Sequence, residues 1–267
     1  MNPDDKSAIR MKRRGRGMNE GDRFTVRVKR QDAKGAQPYW QEFEAEFRQG
    51  MNVIIVLQDI QKRPVTREGR EVRPVAWECS CLEEVCGACS MLINGIPRQA
   101  CSALVERLET PLVLEPFTKF PVIRDLVVDR RSLFENFKKV RAWIPVELTF
   151  GLGPGPRMSQ EEQQAAYPLS RCITCGCCLE ACPQINGNSP FMGAAVMNQA
   201  TLMDSHPTGR MTRTERLVVI RQKGGTADCG NAQNCARVCP KEIPLVDSIA
   251  RLNREAIWEG LKRWLGK

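Results

Sequence analysis

Sulfur is the chemistry-bearing atom of this sequence, and its spacing is specific. Cys172-x2-Cys175-x2-Cys178-x3-Cys182-Pro183 is followed by Cys229-x5-Cys235-x3-Cys239-Pro240. In ferredoxin-type runs three cysteines hold one cubane cluster, and the fourth, beside the proline, ligates the other. That crossing rule assigns Cys172, Cys175, Cys178 and Cys239 to a [4Fe–4S] site. It leaves Cys182, Cys229 and Cys235 at a second site with only three thiolates. Ala232 stands where the middle cysteine of an intact run would be, and a methyl group cannot ligate iron. A three-thiolate corner favours [3Fe–4S].

A third group lies upstream. Cys81-x4-Cys86-x2-Cys89, followed by Cys101, has plant-type [2Fe–2S] spacing. Gly87 and Ala88 keep bulk out of the loop, so backbone N–H groups can turn toward the sulfurs and tune the potential. Asn94-Gly95 is a two-residue hairpin signal that returns the chain toward Cys101. Disulfides belong to oxidising compartments, and zinc favours paired C-x2-C knuckles. Neither accounts for the C-x2-C-x2-C-x3-C-P run. Cys79 and Cys177 are left over, and free cysteine is usually buried. Both read as small buried residues or neighbours of the ligands.

The elements that must position these sulfurs divide the chain. Residues 1–20 read as a disordered leader carrying the basic run Lys12 to Arg16. Arg13-Arg14 is followed by no hydrophobic region, so it is no twin-arginine signal. Residues 21–125 read as a plant-type [2Fe–2S] domain. Phe24 to Lys29 and Tyr39 to Phe47 alternate apolar and polar, as strands of a hairpin do. A helix from Asn52 to Lys62 follows, with Val53, Val56, Leu57 and Ile60 on one face and Pro64 ending it. Leu112 to Pro116 reads as a late strand. Strand, strand, helix, cysteine loop and strand predict a β-grasp ferredoxin.

Residues 126–267 read as an α-helical ferredoxin domain with two clusters, making the chain α+β. Ser132 with Glu135, and Ser159 with Glu162, have capping-box spacing. Leu133, Phe137 and Val140 form one helical stripe, and Leu245, Ile249, Leu252 and Ala256 form another, read as core. Gly151 to Pro156 is a breaker-rich loop. The lone His206, before Pro207, is expected at a turn or interface. Trp40, Trp77 and Trp143 are expected to pack.

Lysine and arginine number 40 against 31 acidic residues, a formal net charge of +9. The positive charges are spread along the chain rather than gathered in a stripe, which argues against nucleic acid as a partner. The longest apolar run, Val53 to Leu57, is far short of the roughly 20 residues that span a bilayer.

The order of the motifs resembles the iron–sulfur subunit of succinate dehydrogenase and fumarate reductase. The phrases CLEEVCGACSMLINGIPRQAC, RDLVVDR, AWIP, LGPGPRM, CITCGCCLEACP, HPTG and DCGNAQNCARVCPKEIP are similar to its bacterial menaquinone-linked branch, over about residues 22–258. The resemblance implies an oxidoreductase complex of the tricarboxylic acid cycle. In it a flavoprotein subunit holds FAD and performs the substrate chemistry. This chain would hold [2Fe–2S], [4Fe–4S] and [3Fe–4S] and contribute no catalytic residue of its own. A membrane-anchor cytochrome b subunit, single and with two haem b groups, would pass electrons to menaquinone. The chain would lie on the cytoplasmic face of the cell membrane, peripheral through that anchor. The alternative is a quinol:fumarate reductase running in reverse. Many ubiquinone-type relatives carry a histidine directly after the first cysteine of the last run, and a tryptophan five residues after the last cysteine of the first. Here those positions are Gly230 and Gly187, which argues against a quinone pocket built by this chain.

Overall fold

The computed structural model describes residues 18–144 and 156–266. The basic run Lys12 to Arg16 and nearly all of the Gly151–Pro156 segment lie outside them. The chain divides into two compact units. One comprises the described residues through Arg130 together with Ile173–Glu180. The other comprises Arg131–Cys172 together with the residues from Ala181 onward.

The first unit is a mixed sheet with a helix on one face. Strands β1 (Arg23–Arg30) and β2 (Tyr39–Glu46) form the expected antiparallel hairpin, with Val26 opposite Phe43. Helix α1 (Val53–Lys62) follows, then β3 (Ser90–Ile93), β4 (Ile96–Gln99) and β5 (Leu112–Glu115). The strand order is β2-β1-β5-β3-β4, with β5 parallel to β1. This is the β-grasp arrangement that the sequence pattern predicts. Alternation buries Phe24, Val26 and Val28 along β1, and the period of α1 buries Val53, Val56, Leu57 and Ile60 against them. Asn52 caps α1 by accepting the Ile55 N–H at 3.0 Å, a bond worth about 1 kcal/mol. Asn94 (φ 50°) and Gly95 (φ 76°) make the β3–β4 turn, since a two-residue hairpin loop with this twist needs positive φ at both positions. Asn94 also ties the turn to its neighbours, accepting from the Val113 N–H and donating to the Glu109 carbonyl.

One ion pair closes this unit from beneath. Arg30, at the end of β1, is 1% exposed, and Asp125 is fully buried. Asp125 accepts two bonds from the Arg30 guanidinium, at 3.0 and 2.9 Å, and two more from the N–H groups of Gln31 and Ala76. Arg30 also donates to the Gln41 side chain and to the carbonyls of Arg73 and Pro74. Such a pair is tolerable in the interior because every lone pair and proton has a partner. Two short strands, β6 (Val122–Arg124) and β7 (Val127–Val128), flank the carboxylate.

The second unit is helical in its described part. Helix α2 (Arg131–Lys139) buries Leu133, with Val140 buried just beyond its end. Ser132 lies inside this helix rather than before it, and the Glu135 carboxylate takes Lys138 instead; the expected capping box at Ser132 therefore does not form. The box at Ser159 does form on α3 (Gln160–Ser170), with both reciprocal bonds present. Central helix α5 (Ala194–Ser205) is buried on nearly every side, and α6 (Arg213–Ile220) and α8 (Leu245–Trp264) pack around it. The short helices α4 (Cys177–Glu180), in the first unit, and α7 (Asn234–Arg237), in the second, lie within the cysteine runs. Arg216 of α6 is fully buried, pairs with Asp204 of α5 and donates to the Val140 and Arg141 carbonyls.

Helix α8 has two apolar faces. Leu245, Leu252 and Ala256 are buried and Ile249 is half-buried, as expected of a core stripe. Ile257, Trp258, Leu261 and Trp264 recur at helical spacing on the opposite side and are exposed. His206 ends α5 at a turn, its Nδ1 accepting the Thr208 N–H at 3.2 Å. Trp77 packs against the first unit's core. Trp40 and Trp143 do not pack as expected: both are about half exposed. Trp40 instead carries the Arg27 guanidinium 5.0 Å from its ring centroid, a cation–π contact that lets an aromatic ring stay at the surface.

The buried pair yields the first prediction. Asp125→Ala leaves the Arg30 charge uncompensated in the interior and should cost about 3–5 kcal/mol, read as a lowered midpoint in denaturant. A change below about 1 kcal/mol would show that Arg30 reaches solvent.

Candidate iron–sulfur sites

The plant-type loop belongs wholly to the first unit. Leu82, Glu84 and Gly87 have φ of 62°, 56° and 73°, and these left-handed residues fold the loop so that its N–H groups point inward. Glu83 and Val85 donate to the Cys81 sulfur at 3.4 and 3.3 Å, Glu84 to Cys101 at 3.3 Å and Ala88 to Cys86 at 3.4 Å. Of the two small residues expected to open the backbone, Ala88 turns its N–H to a sulfur and Gly87 supplies a positive φ. The Glu83 N–H, seconded by that of Val85, holds the Cys81 thiol down to about 7, whereas burial pushes the Cys101 thiol up to about 12. Iron ligation needs all four as thiolates, so loading this loop must release protons.

Cys101 lies two residues past the end of β4, the return strand of the Asn94-Gly95 hairpin, as the turn signal predicts. Sequence reasoning missed what fixes it. The Asn52 side chain that caps α1 also donates to the Cys101 carbonyl at 2.9 Å, tying the Cys101 backbone to the helix start. Arg130, in the RDLVVDR phrase, donates to the Gly87 and Ala88 carbonyls at 2.8 and 3.0 Å. Gly87 must be glycine for a second reason. A Cβ there would lie 2.5 Å from the Ile173 carbonyl oxygen and 3.0 Å from the Cys175 Cα, backbone atoms that cannot yield.

That close approach brings Cys175 beside the plant-type loop, and Cys178 follows in the same segment of the first unit. Thr174 (φ 51°) and Gly176 (φ 86°) turn the chain here. Glu180, buried at the end of the same segment, accepts from the Thr118 N–H, the Thr118 hydroxyl and the Lys119 N–H, at 3.0, 2.7 and 3.0 Å. Cys172 and Cys239 belong to the second unit.

The three-cysteine site lies in the second unit. Cys182, Cys229 and Cys235 line one pocket, and Ala232 lines it with them. Asn231 (φ 51°) and Gln233 (φ 59°) flank Ala232 in left-handed conformations, and Asn234 donates to the Ala181 carbonyl at 3.0 Å, tying the two runs together. Burial is the main reason the Cys235 thiol is pushed up to about 11, and the nearby sulfurs of Cys182 and Cys229 act the same way. Beside it, a Cβ on Gly230 would meet the Gln184 Nε2 at 2.6 Å, so the Gln184 carboxamide fills the space a side chain at 230 would take.

None of the thirteen cysteines forms a disulfide. Cys177 is fully buried, as expected, but Cys79 is exposed. The preference of free cysteine for the interior does not operate at Cys79 because the loop around it lies at the surface. Among the described residues no three His, Cys, Asp or Glu side chains converge on a single ion; a cluster distributes its thiolates over several irons.

Residues 25–135 match the family model of the 2Fe-2S iron-sulfur cluster binding domain, and residues 168–243 that of the 4Fe-4S dicluster domain. The succinate dehydrogenase iron-sulfur subunit of Bacillus subtilis is 51% identical over 93% of this chain and 98% of its own length. The chain belongs to the succinate dehydrogenase and fumarate reductase iron–sulfur subunit family. The fumarate reductase iron-sulfur subunit of Wolinella succinogenes is more distant, 31% identical over 89% of this chain and 98% of its own. A chain of the Mycobacterium smegmatis Sdh1 complex in the apo form superposes with a TM-score of 0.72 at 25% identity, covering 88% of this chain and 96% of that one. Membership makes this a one-electron carrier of an oxidoreductase complex, with [2Fe–2S] and [4Fe–4S] as its cofactors, on an α+β fold. No helix among the described residues is long and apolar enough to cross a membrane.

Two substitutions test the sites. We predict that Cys81→Ala loses the [2Fe–2S] absorbance and EPR signal while Cys79→Ala keeps both; the opposite pattern would make Cys79 the first ligand. Ala232→Cys supplies a fourth thiolate and should convert part of the three-iron centre to [4Fe–4S]. An unchanged three-iron EPR signal in that variant would mean that something other than ligand count excludes the fourth iron.

Proposed function

We propose that this chain is the electron-carrying subunit of a succinate:menaquinone oxidoreductase, seated between an FAD-bearing flavoprotein and a membrane anchor on the cytoplasmic face of the cell membrane. Its ligand sets are Cys81, Cys86, Cys89 and Cys101 for [2Fe–2S]; Cys172, Cys175, Cys178 and Cys239 for [4Fe–4S]; and Cys182, Cys229 and Cys235 for [3Fe–4S]. The bound clusters would supply one-electron steps that complement the two-electron chemistry of a flavin. The protein's part is to hold thiolates and turn N–H groups toward them.

The observation that carries this reading is Ala232 in the same pocket as Cys182, Cys229 and Cys235. Iron–sulfur partners of other flavoproteins built on two intact cubane runs would have a fourth sulfur there. The higher identity to a succinate dehydrogenase subunit than to fumarate reductase subunits favours succinate oxidation over the reverse. Gly230 and Gly187 present no side chain to a quinone, which favours reaction at a single two-haem anchor rather than at this chain. The exposed face of α8, with Trp258, Leu261 and Trp264, suits an apolar partner of that kind.

Anaerobic purification with its partners, followed by EPR, tests the assignment. A three-iron signal is expected in the oxidised protein, with [2Fe–2S] and [4Fe–4S] signals appearing on reduction. Two cubane signals without a three-iron signal would overturn it.

A further inference from the structure

Backbone N–H groups reach the sulfurs of Cys81, Cys86 and Cys101. The Cys89 sulfur instead faces a side chain, the Gln99 carboxamide, whose Oε1 lies 3.6 Å away. Gln99 is fully buried. Its Nε2 donates to the Ser90 hydroxyl at 2.8 Å and to the Cys177 sulfur at 3.6 Å. One amide thus joins a ligand of the plant-type loop to the cysteine directly before the Cys178 ligand.

An amide oxygen facing Cys89 suits a thiol, which has a proton to donate. It does not suit a thiolate on iron, which has none and carries negative charge. Carboxamide oxygen and nitrogen have nearly the same shape, and their assignment follows from the hydrogen bonds available. A half-turn of the Gln99 amide therefore costs no packing and places N–H on Cys89. The oxygen then faces Ser90 and Cys177, both of which can donate. Ser90 is free to do so because its present acceptor, the Gly87 carbonyl at 2.7 Å, also receives Arg130 at 2.8 Å.

We propose that Gln99 donates an N–H hydrogen bond to the Cys89 thiolate and thereby raises the potential of the [2Fe–2S] site, with Ser90 and Cys177 holding the amide in that orientation. Gln99 is a positioning residue acting through Cys89. The physical basis is that N–H groups directed at cluster sulfurs stabilise the more negative, reduced state. The proposal rests on Cys89 being a ligand, and Cys89→Ala tests that separately by whether the [2Fe–2S] signal survives.

The experiment is an EPR-monitored redox titration of the cluster-loaded full chain. In Gln99→Leu we expect full iron content, a retained [2Fe–2S] signal and a midpoint shifted to more negative potential, with the three-iron midpoint unchanged. Gln99→Met has a similar length but no N–H and no charge, and serves if the leucine variant fails to load; the same negative shift is expected. A loaded variant with the native [2Fe–2S] midpoint overturns the proposal. So does an equal shift at both centres, which marks general distortion, or loss of the cluster in both variants, which makes Gln99 a folding residue only.

Discussion

Thiolate sulfurs on iron are stabilised by N–H groups turned toward them, and a short loop that is not a helix start turns its N–H groups inward most readily by visiting positive φ. Each cysteine loop of this protein does so at closely spaced positions. Leu82 and Glu84 precede Gly87, Thr174 precedes Gly176, and Asn231 precedes Gln233. Only two of these seven are glycine. A side chain in the left-handed region costs about 1–2 kcal/mol, and leucine has no polar group to offset that. The loops therefore store strain where the cysteines sit, a common feature of functional sites. The scaffold must oppose it.

The scaffold's answer is visible around the plant-type loop. Arg130 grips two successive loop carbonyls, Asn52 fixes the Cys101 backbone, and Asp125 binds Arg30 beneath. Arg130 and Asp125 both come from the RDLVVDR phrase, so a single short segment stabilises both the loop and the base of the sheet. Glu180 does the same for the segment holding Cys175 and Cys178 by accepting three bonds from Thr118 and Lys119. Of these, the Arg30–Asp125 pair and Glu180 are charged groups made tolerable in the interior by their hydrogen bonds.

This division explains what was legible in the sequence. Periodic burial announced β1, β2 and α1; positive-φ turn chemistry announced Asn94-Gly95; motif spacing placed Cys182, Cys229 and Cys235 around Ala232. All of these are local or arithmetic signals. Asn52 was visible as a helix start, but its second bond to Cys101 spans 49 residues and leaves no local trace. The same holds for Glu180, Gln99 and Arg130. Ser132 misled because capping-box spacing is necessary but not sufficient: the helix had already begun at Arg131. Cys79 misled because average burial of cysteine says nothing about a loop whose own geometry holds it at the surface.

The second run shows the same logic with one ligand removed. Had Ala232 merely replaced a cysteine, the loop around it would be free to relax to ordinary φ. It keeps left-handed residues on both sides, at Asn231 and Gln233, and these are residue types with short or flexible polar side chains, of which asparagine tolerates that conformation best. Asn234 meanwhile ties the loop to Ala181, beside Cys182. A turn held at positive φ on both sides of Ala232 and tied to Ala181 offers a methyl group beside Cys182, Cys229 and Cys235, which is the arrangement that the proposed three-iron reading requires. On the proposed three-iron reading, the alanine has a role as definite as that of the cysteines: it would leave space for the cluster's inorganic sulfides while withholding the bond that would complete a cubane.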